Sequence, residues 1–217
     1  MTLPTCYILG AGGHGRVVLE AALASGAFQA CLFIDGNTAL HGTQIMGAPV
    51  LGGDDALPPP GAGVAVMPAI GDNHRRLALT LELMAQGYAV ATVVHPRAWV
   101  SPHASLGAGT VVCAMAVVQP GAILGCACIV NTAASVDHDC LIGDGVHCSP
   151  GVRLAGGVQV GDCTHLGIGS CVIQEMRVGE HCVVGAGAAV VKDIPGDSLA
   201  LGVPAVVVRK LPPREVG

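Results

Sequence analysis

The chain has 217 residues, of which 52% are hydrophobic and 12% charged, and a net charge of −5. So apolar a composition excludes an intrinsically disordered chain. With 2% aromatics and no basic excess, it also lacks the stacking rings and cationic footprint of a nucleic-acid binder. Apolar residues are interrupted every few positions by Gly, Asp, His, Asn or Pro, so no stretch approaches the roughly 20 residues of a spanning helix. The opening MTLPTCYILGAGG has no basic n-region and too short an apolar core for a signal peptide. A cytoplasmic protein without membrane insertion is expected. The ten cysteines include no CxxC pair, so they read as free, small hydrophobes, and no metal is expected.

In chain order, Cys6–Leu9 reads as a short strand, followed by the loop Gly10-Ala11-Gly12-Gly13-His14-Gly15 and a helix over 16–24 that closes near Gly26. A second strand at 31–34 ends in Asp35-Gly36, and a third at 64–70 ends in Gly71-Asp72-Asn73. A helix over 74–86 is closed by Gly87, and a fourth strand at 88–94 leads into His95-Pro96. Strands alternating with helices predict a small Rossmann-like parallel α/β domain over residues 1–93, with a ligand at the carboxyl edge of the sheet. The glycine loop lies where bare backbone and helix N–H groups approach a phosphate. Asp35 follows Gly15 at a spacing suited to ribose or base contacts. The same loop also serves as a tight turn alone.

From Val94 to Val190 every sixth residue is Val, Leu or Ile, with Cys148 the one exception among seventeen. The fifth positions are small apart from Met176 and Ile194, and Gly fills seven second positions (Gly107, Gly125, Gly143, Gly161, Gly167, Gly179 and Gly185). A helix, whose period is about 3.6, cannot hold that frame. Strand parity points the fifth and following first positions inward and the sixth outward. The second and third positions then form a corner, where Gly accommodates positive φ. The expected structure over 94–195 is a parallel β-helix whose faces are hexapeptides. A C-terminal segment, 196–217, follows.

The repeat resembles the hexapeptide, left-handed β-helix acyltransferases, and Gly202-Val203-Pro204-Ala205 is similar to their G-x-P-A segment. The family implies three hexapeptides per coil and a homotrimer. G-A-G-G-H-G-R, F-I-D-G and A-I-G-D-N ahead of the repeat resemble the bacterial sugar acetyltransferases of the NeuD/PglD/PerB type. This resemblance implies acetyl-CoA as co-substrate and a nucleotide-linked amino or dideoxy sugar, often acetylated on its 4-amino group. It places the nucleotide sugar at Gly12, Gly13, His14, Asp35, Gly36, Gly71 and Asn73. It places acetyl-CoA at His147, Gly156, Ile168 and Ala186.

Amide formation from a thioester needs a base for the amine proton, and histidine suits that task near neutral pH. His138 falls third in its hexapeptide, near a corner and between Asp137 and Asp139. His147 and His165 are both sixth and outward-pointing, and with three hexapeptides per coil they become stacked neighbours. The segment N-T-x-x-x-V-x-H-D-C around His138 matches the family's catalytic segment. By that match His138 is the general base and Asp139 the acid that orients it. The residues alone also allow a solvated corner histidine. The competing functions are O-acetylation of a sialic acid or other sugar, a zinc enzyme of the γ-carbonic-anhydrase type using His138, His147 and His165, and a non-catalytic β-helix scaffold.

Overall fold

A computed structural model describes residues 3–212. Residues 1–2 and 213–217, the outer ends of the first domain and of the C-terminal segment expected from the sequence, lie outside the described residues. The N-terminal part is a six-stranded sheet of β1 (Thr5–Leu9), β2 (Ala30–Ile34), β3 (Gln44–Ile45), β4 (Ala48–Gly52), β5 (Val64–Pro68) and β6 (Ala89–Val90). Its strand order is β3-β4-β2-β1-β5-β6, and every pairing but β3–β4 is parallel. The chain leaves β1 toward β2 on one side and returns to β5 on the other. This reversal opens a crevice at the carboxyl ends of the central strands.

Helix α1 (Gly13–Ser25) starts earlier than expected, so the glycine loop forms its first turn. Gly15 has a packing reason: a Cβ there would overlap the Gly10 carbonyl and meet Phe33 at 3.3 Å. Helix α2 (Asn73–Ala85) is capped by Asp72, whose carboxylate accepts from the Arg75 N–H at 3.0 Å. The strand expected over 88–94 is two. Ala89–Val90 completes the sheet beside β5, and Val93–Val94 opens the first coil.

From there the chain winds into a left-handed β-helix with three flat faces. Two-residue rungs occupy the sixth and first positions of each hexapeptide, and on every face each rung pairs in parallel with the one three hexapeptides on. The first face carries rungs 93–94, 111–112, 129–130, 147–148, 165–166 and 183–184; the second runs from 99–100 to 189–190, the third from 105–106 to 177–178. First and fifth positions fill the interior, including Val112, Val130, Leu154, Leu166, Ala116, Ala134 and Val152. Cys128, Cys140, Cys148 and Cys182 lie in the same core as free thiols, packed like small hydrophobes.

The corners differ from the expectation. Positive φ falls at the fourth position, on Met115, Ala127, Ala133, Asp139, Cys163, Glu175 and His181 as well as on glycines. The second-position glycines have no positive φ. A Cβ on Gly167 would stand 2.6 Å from the Val184 carbonyl, and one on Gly143 would stand 2.9 Å from the Asp162 nitrogen. Coils about 4.8 Å apart leave no room there for a side chain. At two of these sites the space admits an aspartate from the next coil, so that Asp144 accepts from the Cys126 N–H at 2.7 Å and Asp162 from the Asp144 N–H at 2.8 Å.

The first face is covered by the N-terminal domain. Val93, Val111, Cys113 and Ile129 share one core with Ile8, Val18, Leu19 and Phe33. At the corner between the third and first faces, α2 delivers Arg76, which is fully buried. Its guanidinium donates to the carbonyls of Ala127 (2.8 Å), Gly145 (2.9 Å), Ile70 (2.9 Å) and Gly71 (3.3 Å), and to Asn73 Oδ1 (2.9 Å). Burial lowers its pKa to about 10. Arg76→Leu would leave these acceptors unpaired inside the seam. It should cost about 3–5 kcal/mol in denaturant unfolding, and a loss below about 1 kcal/mol would mean that the seam does not depend on this charge.

Candidate active site

A cleft of about 880 Å³ opens at the carboxyl ends of β1, β2 and β5. Gly12, Gly13, His14, Asp35, Gly36 and Gly71 all line it, so six of the seven residues matched to the sugar nucleotide come together. Asp35 holds the floor in shape: Oδ2 accepts from the Ala11 N–H at 2.7 Å and Oδ1 from the Asn37 N–H at 2.8 Å. The seventh residue, Asn73, turns its amide into the domain seam instead, where Nδ2 donates to the Cys163 and Thr164 carbonyls at 3.1 and 3.3 Å. Sequence reasoning missed Arg76 altogether. Its partners are mostly backbone carbonyls, which carry no residue signature.

His14, in the first turn of α1, faces the β-helix. Its ring centroid is 6.5 Å from that of His147, which is 4.8 Å from that of His165. His147 and His165 are register partners on the first face, as expected with three hexapeptides per coil. Burial, with the Arg76 charge, lowers the His14 pKa to about 4. Burial, then the neighbouring His165, Arg76 and His14, lowers His147 to about 3. Both rings are therefore neutral at physiological pH. Asn131 Nδ2 lies 3.1 Å from His147 Nε2, and Ser149 Oγ lies 3.2 Å from His165 Nε2. His14 Nε2 and His147 Nδ1 are buried with no partner among the described residues. Such orphaned polar atoms cost stability unless a ligand, or water, completes them.

His138 stands elsewhere. It lies at the corner between the second and third faces, opposite the face that carries the N-terminal domain. Its side chain is 63% exposed, and its Nδ1 lies 2.9 Å from Asp139 Oδ2. That hydrogen bond, with the charges of Asp137 and Asp139, raises its pKa against a smaller opposing effect of desolvation. With Nδ1 held by the carboxylate, Nε2 is left with a lone pair that can accept a proton. Gly156, one coil on, lies beneath the ring, and a Cβ there would overlap His138 Nε2 and Cε1. Its lack of a side chain leaves the imidazole room to lie flat on the corner.

The residues matched to acetyl-CoA divide in the same way. Gly156 lies at the His138 corner, His147 on the first face, and Ile168 and Ala186 at the corner between the first and second faces, with Ile168 exposed. Among the described residues of one chain, His138, His147 and His165 do not form a metal-ligand group. No described helix is long and apolar enough to cross a membrane.

The family described as PglD N-terminal domain matches residues 6–83. The acetyltransferase domain of PglB from Neisseria gonorrhoeae, solved with acetyl coenzyme A, is 40% identical; the match covers 95% of this chain and 100% of that one, with a TM-score of 0.90. PerB from Caulobacter crescentus, solved with CoA and GDP-perosamine, is 38% identical over 95% of this chain and 98% of that one, with a TM-score of 0.87. A histidine-to-asparagine mutant of perosamine N-acetyltransferase from Caulobacter crescentus, also with CoA and GDP-perosamine, is 36% identical over 96% and 99% of the two chains, with a TM-score of 0.88. Among curated proteins, none matches the chain.

The raised pKa of His138 has a measurable consequence. A base must be deprotonated to act, so if His138 serves as one, the acid limb of kcat/KM should lie above the ordinary histidine value of about 6.5. Asp139→Asn removes the main cause of the shift. The limb should move to lower pH while the plateau rate falls about tenfold or more. A limb that stays in place in this variant would remove Asp139 from the role of orienting acid.

Proposed function

The chain belongs to the NeuD/PglD/PerB-type, acetyl-CoA-dependent sugar N-acetyltransferases, and on that premise we propose that its acceptor is the amino group, specifically the 4-amino group, of a nucleotide-linked amino or dideoxy sugar. The observation that carries this reading is the convergence of six predicted contacts on one cleft at the helix N-terminus of a parallel sheet. Its bare glycine backbone suits a pyrophosphate, and Asp35 suits a ribose or base donor.

The chemistry is direct transfer. The amine nitrogen attacks the thioester carbonyl, His138 Nε2 takes the proton that the nitrogen sheds, and the carbon–sulfur bond breaks to release the CoA thiolate. The imidazolium then returns its proton to that sulfur. Asp139 stabilises the charge that His138 carries in between. His147, neutral and with a buried free nitrogen, suits a polar contact to the acyl group, and His14 suits one to the sugar. Ile168 and Ala186 offer small or apolar surface to the pantetheine arm.

In one chain the base and the sugar cleft lie on opposite sides of the prism. We therefore read the working enzyme as a homotrimer in which the His138 corner of one subunit meets the first face and cleft of its neighbour. C3 closure needs two different surfaces per chain, and these two supply them.

The test is acetyl-CoA consumption with UDP-, GDP- and dTDP-linked 4-amino sugars and with sialic acid. Turnover is expected with a nucleotide-linked amino sugar, and turnover with sialic acid alone would overturn the acceptor assignment. His138→Asn should lower kcat by about 10²-fold or more with CoA binding retained, whereas a wild-type kcat would remove His138 as base. His14→Ala should raise KM for the sugar more than for acetyl-CoA, and equal effects would argue against its place in the cleft.

A further inference from the structure

The corner between the third and first faces stacks its fourth positions, one per coil, as Gly109, Ala127, Gly145, Cys163 and His181. All five have positive φ, between 54° and 73°, so they form a column at the outer edge of the prism with successive members about 4.8 Å apart. The last two members of that column are Cys163 and His181. Against it lies the first turn of α2, which brings His74. One ligand atom from each of His74, Cys163 and His181 lies within 4.8 Å of the other two. Cys163 is buried, both histidines are half-buried, and the two imidazole centroids stand 5.0 Å apart. The three residues border a cavity of about 390 Å³. A carboxylate completes the surroundings, with Asp197 Oδ1 3.4 Å from His181 Nδ1.

We propose that His74, Cys163 and His181 form a site for a divalent transition-metal ion of the Zn²⁺ class that clamps α2 to the β-helix. One thiolate and two imidazoles are ligands that Zn²⁺ and its neighbours accept, while Mg²⁺ and Ca²⁺ require oxygen. At metal–ligand bonds of about 2.0–2.3 Å, tetrahedral ligands stand roughly 3.3–3.6 Å apart, so a closure of about 1 Å completes the set. Water takes the fourth position. Asp197 on Nδ1 orients the His181 ring to ligate through Nε2, the carboxylate–histidine–metal arrangement. Binding releases the Cys163 thiol proton to solvent.

The three ligands come from two domains, next to the seam that Arg76 and Asn73 already hold. A metal there ties the nucleotide cleft to the β-helix without touching substrate. Such a site would go beyond the sequence expectation that no metal is bound. His74 is separated from Cys163 by several coils of chain, and Cys163 from His181 by one, a spacing that no sequence motif records.

Tag-free, chelator-stripped full-length protein is titrated with Co²⁺ and followed by optical absorption, then with Zn²⁺ by calorimetry. The expected result is one ion per chain, a thiolate-to-cobalt charge-transfer band with tetrahedral d–d bands, displacement by Zn²⁺, and a higher Tm in Zn²⁺. Cys163→Ala and His181→Ala should abolish the band and the Tm increase. Asp197→Asn should weaken Zn²⁺ binding by about 10–100-fold. Cys171→Ser, which alters an exposed thiol on another face, should change neither. Cys163→Ala should fold, because Ala127 and Ala133 hold the same corner conformation, and circular dichroism checks it. No thiolate band in the wild type, or a band that survives Cys163→Ala, would overturn the proposal.

Discussion

The constraint behind every other feature is the vertical contact between coils. Backbone hydrogen bonds join each rung to the one a full coil later, with no slip from Val93 to Val190. A coil spacing of about 4.8 Å leaves no room for a Cβ at second positions such as Gly143 and Gly167, and left-handed backbone falls at the fourth positions from Gly109 to Gly187. Those two demands fix where every outward side chain stands. His138 must fall at one corner, His147 and His165 must stack on one face, and Cys163 and His181 must stack at another corner. The chemistry is then a matter of which residue type occupies which station.

The second determinant is how the α/β domain sits on this prism. Apolar contacts cover the first face, and at its edge a buried guanidinium collects carbonyls from both domains. Taking a cation out of water costs several kcal/mol unless its donors are met, and Arg76 meets that condition with backbone acceptors instead of a carboxylate. Its charge has a further effect nearby. Together with burial it keeps His14 and His147 neutral, which makes them hydrogen-bonding groups beside the cleft, whereas the pKa of His138 at the far corner is raised.

Much of this was legible in the sequence, for a physical reason. The β-helix repeats one short-range rule many times, so the hexapeptide frame, the inward positions and the His147–His165 stacking could all be read without coordinates. The cleft was legible because a strand–helix junction at the carboxyl edge of a parallel sheet, here with Gly12 and Gly13, opens a crevice. The corner was misread because left-handed backbone there is carried by Met115, Asp139 and Glu175 as readily as by Gly, so residue type gave no signal. Gly125 and Gly143 answer to an aspartate one coil away, a contact that appears only once coils are stacked. Asn73 and Arg76 were illegible for the same reason: they act on carbonyls of another domain.

The central claim is that two chains build one active site, because the base and the acceptor cleft lie on opposite sides of a single prism. Co-expression of a His138→Asn chain with an Asp35→Asn chain, each inactive alone, tests it directly. Random mixing in a trimer gives about one site in four an intact base from one chain and an intact cleft from its neighbour, so about a quarter of wild-type activity should return. Activity no greater than that of the two separate variants would contradict the shared site and with it the account of how the fold performs the transfer.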